Sequence, residues 1–140
     1  MYVILDKGIF DMKVTHLTES EFGSVVTEID LLNLSTEDSN IILSLWNERA
    51  LLIFPDVYLS PKGQDHFAHL FGALEFPRTA ISNLGKDGII HQDPTDDVVK
   101  VIRGNEGWHH DSTYMPIQAR GAVFSADIVP KEGGLTGWAD

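Results

Sequence analysis

The hydrophobic pattern changes character midway along the chain. Val25 to Leu32 (VVTEIDLL) is β-branched and apolar with acidic interruptions, which predicts a short strand running into a loop. Ser35 is followed three residues on by Asp38, the arrangement in which hydroxyl and carboxylate each satisfy the other's backbone N–H at a helix start. Ile41, Ile42, Leu45 and Trp46 then recur at helical spacing along one face. Ala50 to Phe54 (ALLIF), closed by Pro55 and Asp56, reads as a buried strand. Ser60 and Pro61 open a second helix, whose apolar face is Phe67, Leu70, Phe71 and Leu74.

Beyond these elements the text is richer in turn residues. Asn83 to Asp97, full of Gly, Asp, Asn and Pro, predicts a long loop with one strand at Gly88 to His91. Val98 to Arg103 (VVKVIR) reads as a strand, Gly104 to Gly107 as a turn, and Trp108 to Tyr114 as a second extended segment. Gly121 to Val129 and Leu135 to Ala139 complete the set, separated by Pro130 and the Gly133-Gly134 pair. Helices followed by strands on Gly-rich turns predict a mixed α+β chain with a sandwich or barrel.

Composition narrows the function. A chain of 140 residues with 43% hydrophobic content can bury one apolar core, so one domain is expected. The 21 acidic against 10 basic side chains give a formal charge of −11, which repels phosphate backbones and anionic membranes; neither nucleic acid nor membrane is expected as a partner. Without cysteine, His and carboxylate are the strong metal ligands available. Asp6 and Lys7 interrupt the apolar opening, and no later run approaches the length of a membrane span, so a cytoplasmic protein is the simplest expectation.

The densest chemistry is GWHHDSTY, Gly107 to Tyr114. On an extended backbone His109 and Asp111 project to one face and Trp108 and His110 to the other. Same-face residues lie about 6 to 7 Å apart at Cα, close enough for an imidazole and a carboxylate to share a metal with bonds of about 2 Å. Such a pair is two corners of the facial triad of non-haem iron oxygenases, and a third ligand is still required. By itself H-x-D also fits hydrogen-bonded surface residues, or a base oriented beside Ser112 for nucleophilic catalysis. His66 and His69, at i and i+3 on the second helix, lack a third partner nearby, and His91 with Asp93, Asp96 and Asp97 reads as a solvated acidic loop rather than a calcium loop.

Longer motifs separate these readings. The run from Trp108 to Asp140, with W-H-x-D at Trp108, His109 and Asp111 and P-x-x-GG-x-T at Pro130, Gly133, Gly134 and Thr136, resembles the taurine and aryloxyalkanoate (TauD/TfdA-type) family of Fe(II)- and 2-oxoglutarate-dependent dioxygenases. Upstream, Leu52-Ile53-Phe54 and the F-x-x-x-F-G-x-L ending at Leu74 are similar to the family's N-terminal region, in the same order. The resemblance spans Met12 to Asp140. It implies a double-stranded β-helix (jelly roll) with flanking N-terminal helices. It also implies hydroxylation of a small organic acid, with Fe(II) as cofactor, 2-oxoglutarate and O2 as cosubstrates, and release of succinate and CO2. His109 and Asp111 match the catalytic iron ligands, Thr136 a threonine that helps hold a 2-oxoglutarate carboxylate, and Asn105 an asparagine near the substrate. Asn105 reads equally as a turn residue beside Gly104.

None of the histidines, His16, His66, His69, His91, His109 and His110, follows the motif. The distal iron His and the Arg that clamps 2-oxoglutarate are therefore expected in a C-terminal part beyond this sequence, which makes the chain the N-terminal half of a domain at 12–140. Residues 1–11 read as an upstream extension, with Met12 as the natural start. The rival expectation is a truncated, non-catalytic binding or interaction domain of the same fold. A homo-oligomer of the full-length enzyme is compatible with the first of these expectations.

Overall fold

Ser35 begins the first helix as its spacing predicts. In the computed structural model, which describes residues 12–17 and 22–139, its hydroxyl accepts from the Asp38 backbone N–H at 3.0 Å and the Asp38 carboxylate accepts from the Ser35 N–H at 3.2 Å. The extension expected at residues 1–11 lies outside the described residues. Two strands precede this helix: β1, Lys13–His16, and β2, Ser24–Thr27. The helix itself, α1, spans Thr36–Arg49, and β3, Leu52–Ile53, follows at once. Strand β2 pairs antiparallel with β1 and parallel with β3, so the sheet order is β1-β2-β3 and α1 is the crossover that a parallel pair needs. At the end of β2 Ser24 is fully buried; Arg49 donates to Nε2 of His16, leaving Nδ1 of that ring to donate to the Ser24 hydroxyl at 3.0 Å.

The second helix, α2, is Pro61–Ala68, capped by the Ser60 hydroxyl accepting from the Gly63 N–H and started by Pro61. Gly63 is there because α2 runs close to the loop before α1: a Cβ would stand 3.1 Å from Leu32 Cδ2. Leu31, Ile42 and Phe67 form the buried centre. Around it Phe67 meets Phe54 and Phe71 edge-on at 5.4 Å, and Phe71 meets Trp46 at 5.0 Å. Gln64 donates to the Val123 carbonyl at 2.9 Å, tying the returning chain to α2. The chain divides into two compact units, one running through Ala73 and resuming at Val123, the other Leu74–Ala122.

Four sequence expectations are corrected. Val98 to Arg103 is no strand but part of a third helix, α3, Asp97–Gly104. Its β-branched residues favour a strand, but Asp96 accepts from the Val98 N–H at 2.8 Å and Asp97 pairs with Lys100, so a cap and an i,i+3 pair prevail. Trp108 to Tyr114 is irregular and then a turn, broken by Ser112 at φ 59°. Gly121 to Val129 and Leu135 to Ala139 form no strand among the described residues. A strand needs a ladder partner, and none is at hand: Ile128 is 80% and Leu135 96% exposed. The described residues thus hold one three-stranded sheet, and the two sheets of a jelly roll are not assembled in them. A smaller change is that Ala50 to Phe54 yields a two-residue edge strand, with Ile53 exposed. In Asn83 to Asp97 the expected strand reduces to a single bridge, Leu84 to Ile90.

The Ser35 cap gives a direct check. Ser35→Ala removes the hydroxyl half of the reciprocal pair and leaves the Asp38 carboxylate on the backbone N–H of residue 35, and urea unfolding should show a loss of about 1 kcal/mol.

Candidate functional site

Within the Leu74–Ala122 unit, the backbone after α3 carries His109 and Asp111 into a reversal. Residues 111–114 form a turn, closed by the Met115 N–H donating to the Ser112 carbonyl at 3.0 Å. The turn does what the expected strand would have done, by another route: it brings Nε2 of His109 to 3.3 Å from Oδ1 of Asp111. Both side chains remain solvent-accessible, at 47% and 61%.

The proton on the imidazole defines this contact. Nδ1 of His109 lies 2.7 Å from the Gly107 carbonyl, an acceptor, so Nδ1 carries the hydrogen. Nε2 then presents a lone pair to a carboxylate. Two acceptors at that distance need a second proton or a cation between them. A cation about 2.1 Å from each tip would see them at an angle of roughly 100°, which a six-coordinate ion accepts. The backbone carbonyl also supplies the outer hydrogen bond that typically orients a metal-binding imidazole. Donor types, tautomer and separation therefore fit a divalent metal. Among the described residues no group of three His, Asp or Glu side chains converges on one point, so a third ligand is not assembled there.

Other candidates fall away or find different places. Ser112 is buried and its hydroxyl is turned to Glu75 Oε2 at 3.5 Å, which leaves no nucleophile–base pair with His109. The ring of His110 faces Gln118, 2.9 Å from its amide nitrogen. His66 sits in the last turn of α2 and His69 is its C-cap. Asn105 is the C-cap of α3, with its side-chain amide donating to the Val101 carbonyl at 3.2 Å. It also lines an open cleft of about 480 Å³ between the segment Thr79 to Ser82 and the Val98, Val101 and Ile102 face of α3. Thr136 belongs to the other unit and lies in an irregular stretch just after the Gly133-Gly134 pair, both glycines at positive φ.

Two features went unread in the sequence. The strand propensity of VVKVIR hides the cleft; Asp96-Asp97 ahead of Val98, Val101 and Ile102 is the cap-and-face signal that reveals it. The acidic loop contains a defined pair, His91 Nδ1 to Asp96 Oδ2 at 2.7 Å. The hydrogen bond that its ring donates to Asp96 holds the His91 pKa above the ordinary imidazole value. Reciprocally, His91 first, and the Val98 N–H second, hold Asp96 below the usual carboxylate range.

Residues 13–140 match the family described as "Taurine catabolism dioxygenase TauD, TfdA family". An (S)-phenoxypropionate/alpha-ketoglutarate-dioxygenase of Sphingobium herbicidovorans is 49% identical over 123 residues, 87% of this chain and 43% of that protein. One of the same name from Delftia acidovorans is 45% identical over 130 residues, 88% of this chain and 44% of its own. An alpha-ketoglutarate-dependent 2,4-dichlorophenoxyacetate dioxygenase of Cupriavidus pinatubonensis is 33% identical over 135 residues. Among solved structures, AAD-2 in complex with Mn(II) and N-oxalylglycine superposes with a TM-score of 0.70 at 30% identity, over 77% of this chain and 39% of that one. The chain spans less than half the length of these relatives.

Proposed function

The chain belongs to the TauD/TfdA dioxygenase family, and from that premise we propose that it carries the His-x-Asp part of an Fe(II)- and 2-oxoglutarate-dependent dioxygenase acting on a small organic acid. The observation that carries the reading is the His109–Asp111 pair, whose tautomer and 3.3 Å separation suit a shared divalent ion. Relatives named for phenoxypropionate and dichlorophenoxyacetate support an aryloxy acid as the substrate class.

Each residue then has a task. Bound iron with 2-oxoglutarate and O2 supplies the oxidising chemistry; the protein supplies ligands, orientation and exclusion of water. The Gly107 carbonyl keeps the His109 proton on Nδ1 so that Nε2 stays free to ligate, and Asp111 brings the negative charge that offsets part of the metal's. By the family resemblance, the Thr136 hydroxyl would donate to a carboxylate of 2-oxoglutarate. Ala80, Ile81, Val98 and Val101 offer the apolar wall for a ring, with Asn105 as the polar group at its end.

Turnover tests this. With Fe(II), 2-oxoglutarate and a panel of aryloxy carboxylates, the full-length enzyme is expected to release succinate in step with hydroxylated acid, and Thr136→Val in it should raise the apparent KM for 2-oxoglutarate roughly tenfold by removing one hydrogen bond to a charged group. The second reading, a binding domain without catalysis, draws on the two-ligand set among the described residues. Tight binding of an aryloxy acid with no 2-oxoglutarate consumed on any member of the panel would decide for it.

A further inference from the structure

The cleft beside Asn105 has two walls that are joined end to end. One wall, Thr79 to Ser82, runs directly into Asn83, the base of a small hairpin. There the Asn83 carbonyl accepts from the His91 N–H at 2.8 Å, the Asn83 amide donates to the His91 carbonyl at 3.0 Å, and the Gly85 N–H reaches the Ile89 carbonyl at 2.8 Å. Asn83 and His91 are thereby fixed to one another. From His91 the imidazole Nδ1–H donates to Oδ2 of Asp96, while Oδ1 of the same carboxylate caps Val98, the first cleft residue of the other wall's apolar face. The turn Asp93 to Thr95, with the Thr95 N–H and hydroxyl both donating to Asp93, aims Asp96 back at the ring.

We infer that the His91–Asp96 contact is a clasp that sets the distance between the two walls, which makes His91 a positioning residue for the aryl group of an organic acid in the cleft. The inference deepens the functional reading above and rests on it for the identity of the ligand. Gly85 shows how closely the ring is seated: a Cβ there would come within 2.6 Å of His91 Nε2 and 2.5 Å of Asp87 Oδ1. The charged groups facing the imidazole are Asp96 on one side and Asp87 from the hairpin. Both are acidic and favour the imidazolium.

The pH dependence follows. His91 titrates above its ordinary value, so its contribution is complete below that ordinary value and is lost as pH rises through the raised one. Asp96 titrates below its ordinary value, so its contribution is present above the usual carboxylate range and is lost as pH falls through the lowered value. Between those limits the clasp is charged; above them neutral His91 can still donate Nδ1–H, and the clasp loosens without opening.

The test is a nuclear magnetic resonance titration of the chain from about pH 5 to 9, following the His91 ring and the wall amides of Ala80, Ile81, Val98 and Val101. The expected result is that both sets of wall amides shift with the His91 midpoint. In Asp96→Asn, whose amide oxygen can still cap Val98, the midpoint falls towards the ordinary value and the walls no longer follow it. Wall amides that ignore His91 in the native chain, or still track it in Asp96→Asn, overturn the clasp. In parallel, 2-phenoxypropionate is titrated into the Mn(II)-loaded chain. Affinity should fall by at most about fivefold above the His91 midpoint, the range of a solvent-screened ion pair, and His91→Gln should hold the weaker affinity at every pH. Binding that is flat with pH in the native chain also overturns the clasp. Absence of binding with walls that still follow His91 supports the clasp and overturns the cleft as an aryloxy-acid site.

Discussion

Asp111→Ala should weaken Mn(II) binding to this chain by roughly 100-fold, and His109→Ala by a similar factor. The estimate is anchored below by the 10- to 100-fold cost of losing merely an outer hydrogen bond to a metal ligand. Removing Asp111 deletes a donor and a formal charge at once, leaving His109 as the known donor at that point. Asp111→Asn separates the two effects, because it keeps a carbonyl oxygen near the same place without the charge, and should fall between. His110→Ala is the control: its ring is turned towards Gln118, and its affinity should match the native chain. Titration calorimetry or the electron paramagnetic resonance signal of free Mn(II) reads all four proteins. Equal losses for His110→Ala and His109→Ala would show that the metal is held elsewhere.

Ile42→Ala should cost about 3 kcal/mol of unfolding free energy. Ile42 is fully buried at the junction of α1 with Leu31 and Phe67, and the ring cluster around Phe67 cannot close over the missing atoms without giving up its edge-on contacts. Against a total stability on the order of 5–15 kcal/mol, that is a severe loss. Ile42→Val, which removes one methylene, should cost about 1 kcal/mol. The midpoints of urea unfolding give both values, and a loss near zero for Ile42→Ala would mean that this core does not carry the fold.

Where hydrogen bonds are local, the sequence was sufficient. Ser35 with Asp38 and Ser60 with Pro61 mark helix starts within a few residues, and the helices begin there. Pairing between distant segments was less legible. VVKVIR carries strand propensity, yet among the described residues nothing pairs with it and Asp96 caps it, so it coils into α3. GAVFSADIV has the composition of a strand, and without a ladder partner its Ile128 and Val129 stand in solvent.

The candidate site divides along the same line. H-x-D named the residues, because the spacing is short enough to converge through a turn as well as a strand. The hydrogen bond to Gly107 that sets the His109 tautomer depends on the turn and could not be read from residue types. Asn105 caps α3 and also lines the cleft, so neither of its two readings is singled out. His91 and Asp96 were visible as an acidic loop, whereas their pairing follows from the hairpin that fixes His91 against Asn83.

On the proposed reading His109 and Asp111 together hold a divalent metal, and where Mn(II) broadens the nuclear magnetic resonance spectrum of the chain tests that assignment. Substoichiometric Mn(II) should erase the His109 ring and Asp111 signals first. Broadening centred on His91 and Asp96, or spread evenly over the acidic surface, would contradict the assignment.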